Sequence, residues 1–446
     1  MKIALLADLH LGFGYRRHSK DPRREDSFRN AAEAIRIASE RADAILIAGD
    51  IFDRPDVSTD IFLRALEIFD LARKRNSGVL VDGEHWNGVP IIAIRGNHDV
   101  RSDLHRHPVL LLDRAHRLKY INAETVTLEK DGERVAVTGA GWVPDKNPEL
   151  VRRYFSERIP RPVPGAYNIL MLHQPLEGIG RYPGETPLPV SLLPPGFDLY
   201  NSGHLHWHVR KRVSDRWIVI PGSTVRTQLS DREVEDDRAF WIIDTATGDL
   251  EEVSLPSARR GFLRTIKVDG LGRDKVSSNV ISAIEDALSK NDRPVPPIIK
   301  IVLEGSTYDV FDLSPIVSRY EDRAIVKIFD RTTSAVAERL AEVASSSVKD
   351  DEVFSSHFAR TVLEEALSAA GLSVGSEFDR FYAVLTSAGR LSRPEDRDVL
   401  LENVESILFS AVDVASPNAD SRELPSAPER QASKRAAGTI LDWAEN

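Results

Sequence analysis

Short apolar runs alternate with helix-period segments through the first half of the chain. Residues Ile3 to Ala7 form one apolar run, and the segment from Asp26 to Ala42 has apolar residues three and four positions apart. That spacing predicts a helix whose apolar face packs on a sheet. Further strands are predicted at Ala44–Ala48, Pro90–Ile94, Val135–Thr138, Ile169–Leu172, Leu199–Tyr200, Trp217–Ile220 and Phe240–Ile243. The alternation is typical of an α/β fold.

The pattern changes after about Ser257. A strand-like run at Phe262–Val268, a helix-period stretch from Val276 to Leu288 and a second run at Ile298–Leu303 follow one another. Together they predict a small α+β unit.

Helical spacing dominates the chain after about Thr332. Segments Phe354–Ala370 and Pro394–Val414 have apolar residues at helical intervals, while residues 416–437 are rich in Ser, Pro, Ala and charge. That composition predicts a flexible tail, with a short helix at Thr439–Trp443. The predicted domains are 1–256, 257–331, 332–415 and 416–446.

Composition narrows the possible chemistry. The chain has 59 Lys and Arg against 69 Asp and Glu, a net charge of −10, so any nucleic-acid surface must be local. The absence of cysteine excludes a disulfide framework, a zinc ribbon, an iron–sulfur cluster and a thiol nucleophile. The first apolar run ends at Asp8, and no later run approaches ~18 apolar residues. We therefore expect a cytoplasmic protein without a membrane anchor.

Polar side chains follow five of the predicted strands. These residues are Asp8 and His10, then Asp50, then Asn97, His98 and Asp99, then His173, and finally His204 and His206. In open α/β sheets ligands bind beyond the carboxyl ends of strands, so the five segments can converge on one site. Carboxylate, amide and imidazole groups suit Mn²⁺, Fe²⁺ or Zn²⁺, and the number of ligands fits two ions.

Each of these segments alone is weak evidence for a metal site. A single histidine is more often hydrogen-bonded or exposed, and a single aspartate at a strand end is usually a turn or cap residue. The ordered set of five favours a metal site. The neighbouring Gly49, Gly96 and Gly203 would let the backbone approach closely there.

The five segments resemble the calcineurin-like metallophosphoesterases, whose motifs D-x-H, G-D, G-N-H-[DE], H and G-H-x-H occur here in that order over about the first 250 residues. The resemblance implies a metallophosphoesterase β-sandwich flanked by helices. It also implies two metal ions, one held by Asp8, His10, Asp50 and His206 and the other by Asp50, Asn97, His173 and His204. His98 would protonate the leaving oxygen or stabilise the transition state, and Asp99 would orient the ring of His98.

Three further segments are similar to the SbcD and meiotic-recombination-eleven family of DNA double-strand-break-repair nucleases. They are Asp8–Gly12 with the arginines that follow, Ile169–Gln174, and Pro221–Thr227. The similarity implies a Mn²⁺-dependent nuclease with 3′-to-5′ exonuclease and single-strand endonuclease activities. It also implies a capping domain that contacts DNA, a homodimer, and a coiled-coil ABC-type ATPase as partner.

Substrate contacts are predicted beside these motifs. Arg16, Arg17, Arg101 and Arg210 lie close in sequence to the proposed ligands and would contact the DNA backbone. Asp53 is also a predicted substrate contact. It stands where many family members have a histidine that helps to orient the phosphate, and bacterial relatives often have aspartate there, so its role is open.

Several alternatives remain at the level of sequence. The chain could hydrolyse a small nucleotide or phosphomonoester, or act mainly as a scaffold for its partner. The apolar residues from Asp60 to Arg75 could be core or a dimer surface. The helices after Thr332 could form their own bundle or bind the ATPase.

Overall fold

A computed structural model of the chain describes residues 1–15, 21–100, 107–144, 148–213, 216–307 and 311–334. Residues 335–415 of the predicted helical region, the predicted tail, and the predicted substrate contacts Arg16, Arg17 and Arg101 lie outside these residues. Residues 332–334 of the predicted helical region lie in a strand. Residues 1–333 form one compact unit. Within the described ranges, no helix has both the length and the apolar character needed to cross a bilayer.

Seventeen strands and seven α-helices make up the described part of the chain. The strands are β1 Lys2–Leu6, β2 Ala44–Ala48, β3 Leu80–Val81, β4 Glu84–His85, β5 Ile91–Ile94, β6 Lys119–Tyr120, β7 Glu124–Lys130, β8 Glu133–Ala140, β9 Tyr167–Leu172, β10 Leu199–Ser202, β11 Val209–Val213, β12 Arg216–Ile220, β13 Ala239–Asp244, β14 Leu250–Ser254, β15 Gly261–Lys267, β16 Ile298–Thr307 and β17 Ile325–Ser334. The helices are α1 Asp26–Arg41, α2 Thr59–Asp70, α3 Val109–Arg114, α4 Pro148–Arg153, α5 Asp231–Glu235, α6 Arg273–Ser289 and α7 Ser314–Arg319.

Two sheets form the body of the molecule. The first has the order β14-β13-β1-β2-β5-β6, in which β1, β2, β5 and β6 run parallel. The second has the order β11-β12-β10-β9-β8-β7-β3-β4, in which β12, β10, β9 and β8 run parallel. The first sheet therefore has antiparallel strands at the β13–β14 edge only, and the second has antiparallel strands at both edges.

The core lies between the two sheets and on their outer faces. Because side chains alternate along a strand, Ile3 and Leu5 of β1 face the second sheet, where they meet Ile169 and Met171 of β9. The alternate residues of β1 pack on the other side, in a cluster with α1 and α2. The arrangement is a β-sandwich flanked by helices, which confirms the predicted fold class.

A third sheet, of order β15-β16-β17, lies after the sandwich. Helix α6 covers it through Val276, Val280 and Ile284, which are fully buried in a separate apolar cluster. The sequence pattern predicted β15, α6 and β16 but missed β17. The exact limits of the small α+β domain stay a prediction.

Helix α2 tests the two interpretations of the Asp60–Arg75 segment. Its start is capped by Ser58, whose hydroxyl accepts a hydrogen bond from the N–H of Ile61. Ile68 and Phe69 are buried in the core, whereas Leu63 is 54% exposed. Most of the apolar face is therefore core, and one leucine points outward.

Two Leu→Ala substitutions should separate core from surface. Leu46, on β2 between the sheets, is completely buried, so Leu46→Ala should lower the free energy of unfolding by about 2–5 kcal/mol. Leu63→Ala on α2 removes the same atoms from an exposed position and should change it by less than about 0.5 kcal/mol. Urea unfolding followed by tryptophan fluorescence measures both, and equal losses would contradict this assignment of the core.

Candidate metal centre

The seven predicted metal ligands come together at the carboxyl ends of the parallel strands. Asp8 and His10 follow β1, Asp50 follows β2, Asn97 follows β5, His173 follows β9, and His204 and His206 follow β10. All except Asn97 are buried, and Asn97 is half-buried. Residues from both sheets meet here because the parallel strands of each sheet end at the same rim.

One half of the cluster surrounds His10. Its Nε2 atom lies 3.0 Å from Nε2 of His206 and 3.9 Å from Oδ2 of Asp50. Ligand atoms of Asp8, His10 and His206 all lie within 4.8 Å of one another. A single ion could therefore contact all three side chains.

The other half surrounds His173. Its Nε2 atom lies 3.3 Å from Oδ2 of Asp50 and 3.1 Å from Oδ1 of Asn97. The same Asn97 oxygen lies 3.1 Å from Nδ1 of His204. The other carboxylate oxygen of Asp50 accepts a hydrogen bond of 2.8 Å from the N–H of His98, so Oδ2 is the atom that faces both halves.

The outward nitrogen of each histidine has its own polar neighbour. Nδ1 of His173 lies 2.7 Å from the carbonyl oxygen of Ala48, and Nε2 of His204 lies 2.8 Å from Oε1 of Glu185. These contacts favour a proton on the outer nitrogen, which leaves the inner nitrogen as a lone-pair donor.

The outward nitrogens of His206 and His10 also have polar neighbours, which are side chains in both cases. Nδ1 of His206 lies 2.9 Å from the hydroxyl of Thr227 and 3.6 Å from Oε1 of Glu233. Nδ1 of His10 lies 3.6 Å from Oδ1 of Asp53, a distance that gives electrostatic attraction rather than a good hydrogen bond. Four imidazoles thus present one nitrogen each to the centre, which is the donor set that divalent transition metals require.

The backbone at the cluster is strained. Asp8, His10, Asp50 and His204 have φ values of 53°, 45°, 50° and 86°, in the left-handed region that non-glycine residues rarely adopt. Each such residue costs of the order of 1–3 kcal/mol and persists only where the surroundings enforce it. The structure therefore holds these side chains in place against a local preference.

Two glycines permit the close approach that the sequence predicted. A Cβ atom on Gly96 would collide with the Asp50 carboxylate, and one on Gly203 would collide with the carbonyl oxygen of Ala48. Only glycine fits where the segments after β5 and β10 pass this close to the end of β2.

Charges in the cluster shift each other's proton affinities. Burial raises the pKa of Asp50, but the neighbouring His173, His98 and His10 outweigh burial and hold that pKa well below its ordinary value. Burial lowers the pKa of His173, but the carboxylates of Asp50 and Asp8 outweigh burial and raise it to about 9. Burial raises the pKa of Asp8 well above its usual range. The metal-free cluster therefore carries bound protons, and a metal ion would displace them.

The predicted contact between Asp99 and the ring of His98 is wrong. The Asp99 carboxylate accepts hydrogen bonds from the backbone N–H groups of Gly96 and Phe52, both at 2.9 Å, and from Ile51 at 3.3 Å. Asp99 is fully buried, and burial raises its pKa to about 6. It joins the ends of β2 and β5, because its oxygens bond to backbone groups in both segments.

Asp53 holds the ring of His98 instead. The backbone carbonyl oxygen of Asp53 lies 2.9 Å from Nδ1 of His98, and the side chain faces His10. A carboxylate that faces an imidazole in this way supports that ring, and its negative charge would repel a phosphate. The predicted phosphate contact at Asp53 has no support in this geometry.

Arg210 is the one predicted basic contact within the described residues. It lies exposed on the edge strand β11, and its guanidinium carbon is 4.6 Å from the centre of the Trp217 ring. Cation–π contact of this kind holds the guanidinium against the sheet.

Sequence reasoning missed the residues behind the ligands. Glu185, Thr227 and Glu233 lie in loops or in the short helix α5, where neither periodicity nor spacing relates them to the histidines. Thr227 does lie at the end of the Pro221–Thr227 segment that the family resemblance includes. No comparable signal marks the two glutamates.

Known proteins match the chain over this region. The family model described as calcineurin-like phosphoesterase matches residues 1–208. The double-strand break repair protein MRE11 of Encephalitozoon cuniculi is 31% identical over 309 residues, which are 64% of this chain and 52% of that protein. Its counterpart in Caenorhabditis elegans is 28% identical over 292 residues, 54% of this chain and 39% of that protein.

An archaeal relative is covered more fully. The DNA double-strand break repair protein Mre11 of Saccharolobus solfataricus is 24% identical over 313 residues, which are 68% of this chain and 75% of that protein. The chain spans about half the length, or less, of the first two relatives. The chain is therefore similar to the calcineurin-like phosphoesterases over residues 1–208, and to Mre11 double-strand break repair proteins over 54–68% of its length.

Proposed function

We propose that the protein is a two-metal phosphodiesterase that cleaves DNA. The observation that carries the proposal is the position of Asp50, whose Oδ2 atom lies 3.3 Å from a nitrogen of His173 and 3.9 Å from a nitrogen of His10. One carboxylate oxygen thus faces both halves of a buried donor set. The relatives named for double-strand break repair support DNA as the substrate.

The ligands divide between two ions in this proposal. Asp8, His10, Asp50 and His206 would hold one ion, and Asp50, Asn97, His173 and His204 would hold the other. Their nitrogen and oxygen donors fit Mn²⁺, which we propose as the native metal. When bound, such a pair of ions neutralises phosphate charge and activates an attacking water.

His98 is proposed to donate a proton to the leaving oxygen. Its side chain is exposed at the rim, unlike the four histidines inside, and its Nδ1 atom lies 2.9 Å from the carbonyl oxygen of Asp53. Desolvation by neighbouring groups lowers its pKa, but Asp50 and the contacts with Asp53 outweigh desolvation and raise it above the ordinary value. The raised pKa favours the protonated form that a general acid needs.

The finer assignments follow the family resemblance. We propose 3′-to-5′ exonuclease and single-strand endonuclease activities in double-strand break repair, in the cytoplasm, together with a coiled-coil ABC-type ATPase. A homodimer is proposed through helices of the first domain, with Leu63 of α2, which is 54% exposed, as a candidate contact. Arg16, Arg17, Arg101 and Arg210 are proposed to contact the DNA backbone.

A nuclease assay tests the function directly. The purified chain with Mn²⁺ should degrade single-stranded and end-labelled double-stranded DNA, and chelation should stop the reaction because the donor set needs its ions. Nitrophenyl phosphate serves as a phosphomonoester control. Rapid hydrolysis of that compound with no cleavage of DNA would contradict the proposal.

Substitutions at His98 and Asp50 should affect activity and metal content differently. His98→Ala removes the proton donor and should lower kcat by about 10²–10⁴-fold while both ions stay bound. Asp50→Ala removes the shared ligand and should lose both ions. Elemental analysis after dialysis against Mn²⁺ measures the metal content of each variant.

The matched control for these variants is His85→Ala. His85 lies exposed on β4 in the second sheet and should leave both rate and metal content unchanged. Loss of both ions from His98→Ala would show that His98 is a ligand and not a proton donor.

Metal binding should release protons. With a pKa of about 9, His173 of the metal-free chain is protonated at neutral pH, and an imidazolium cannot bind a cation. Binding near neutral pH should therefore release at least one proton per chain, and affinity should rise with pH until about pH 9. Calorimetry in two buffers of different protonation enthalpy measures the release, and a binding heat independent of buffer would contradict it.

A further inference from the structure

A loop between β9 and β10 contacts the cluster from outside the ligand set. We call residues 176–188 the Glu185 loop. A bridge between Leu176 and Leu188 joins its two ends, and a second bridge links Leu176 to Gly180 within the loop. The loop is therefore closed at its base. Arg181 adds a hydrogen bond of 3.1 Å from its side chain to the carbonyl oxygen of Glu185.

Both carboxylate oxygens of Glu185 are engaged. Oε1 lies 2.8 Å from Nε2 of His204, and Oε2 accepts a hydrogen bond of 2.9 Å from the backbone N–H of Tyr182. The side chain is therefore fixed at both oxygens, and one of them faces the outward nitrogen of a proposed metal ligand.

Tyr182 ties the same loop to the other histidine of the G-H-L-H motif. Its hydroxyl oxygen accepts a hydrogen bond of 3.2 Å from the N–H of His206. The Tyr182 ring also meets the rings of His204 and His206 edge-on, with centroids 5.6 and 5.9 Å away. The Glu185 loop thus contacts both histidines after β10.

We propose that Glu185 is a positioning residue for His204, an inference that rests on the proposed two-metal function. By accepting a hydrogen bond from the Nε2–H group of His204, Oε1 favours the tautomer in which Nδ1 has a free lone pair, and Nδ1 lies 3.1 Å from Oδ1 of Asn97. The contact also fixes the rotation of the ring. Glu185 therefore acts through His204 and needs no contact with an ion.

His173 and His204 differ in the kind of acceptor that faces the outer nitrogen of the ring. The ring of His173 is held by the backbone carbonyl of Ala48, which belongs to β2 and cannot move independently. His204 follows its strand with a left-handed backbone of φ 86°. Among the described residues, the acceptor at its outer nitrogen is the carboxylate of Glu185 from the Glu185 loop.

The test compares three variants in the full chain. Glu185→Ala removes the acceptor, and the affinity for one of the two ions should fall about 10–100-fold. Glu185→Gln keeps an acceptor oxygen and should restore most of that affinity. Glu177→Ala removes an exposed carboxylate from the same loop and should bind both ions as the parent does. Equilibrium dialysis with Mn²⁺ and elemental analysis give the stoichiometries.

The tautomer of His204 separates positioning from a general effect on folding. Histidine-selective ¹⁵N labelling of the metal-free protein reports which ring nitrogen carries the proton, and His204→Ala assigns the signal. The parent and Glu185→Gln should show the proton on Nε2, and Glu185→Ala should shift it toward Nδ1. An unchanged tautomer in Glu185→Ala would overturn the proposal, as would equal metal loss in Glu177→Ala.

The two proposals fail in different ways. If the parent chain binds no divalent ion, the proposed function itself is wrong. If the parent binds two ions and Glu185→Ala binds both with unchanged affinity, only the role of Glu185 is wrong.

Discussion

Parallel strand pairing is the constraint on which the site depends. β1, β2 and β5 run parallel in one sheet and β9 and β10 in the other, so five strands deliver their following residues to one rim. Packing of the two sheets face to face then brings the rims together. A slip of one residue in any of these pairs would turn its ligand away from the centre, because side chains alternate along a strand.

Support for the proposed ligands comes from strand ends, from the segment between β12 and β13, and from a surface loop. The carbonyl of β2 and the buried carboxylate of Asp99 belong to the strand ends, and both bond directly to groups of the cluster or its backbone. Thr227 and Glu233 approach His206 from the segment between β12 and β13. Glu185 approaches from a surface loop. The strand ends thus position the backbone and the inner side chains of the cluster, and the segments between strands fix the orientations of the histidine rings.

The central strands and the meeting of the seven proposed ligands at one rim could be predicted from sequence, because buried strands are continuous apolar runs and the proposed ligands follow such runs closely. Strand β7 and the edge strands β11 and β14 were not predicted, since polar residues on their exposed faces weaken the apolar signal. The contacts of Glu185 and Glu233 with the histidines were not predicted, because they depend on tertiary structure and not on local sequence spacing. The partner of His98 was wrong for a similar reason: sequence adjacency suggested Asp99, but the Asp99 carboxylate turns inward to the backbone.

The left-handed backbone at Asp8, His10, Asp50 and His204 destabilises the fold locally, but it positions side chains that carry donor atoms. Glycine adopts these angles freely, and an uncharged side chain would avoid the repulsion between buried carboxylates. Selection for heat resistance alone would therefore favour glycine or neutral residues at these positions and would erase the donor atoms. Aspartate and histidine at these positions therefore lower stability in return for donor atoms. A variant that has lost these donor atoms could consequently be more heat-resistant than this chain.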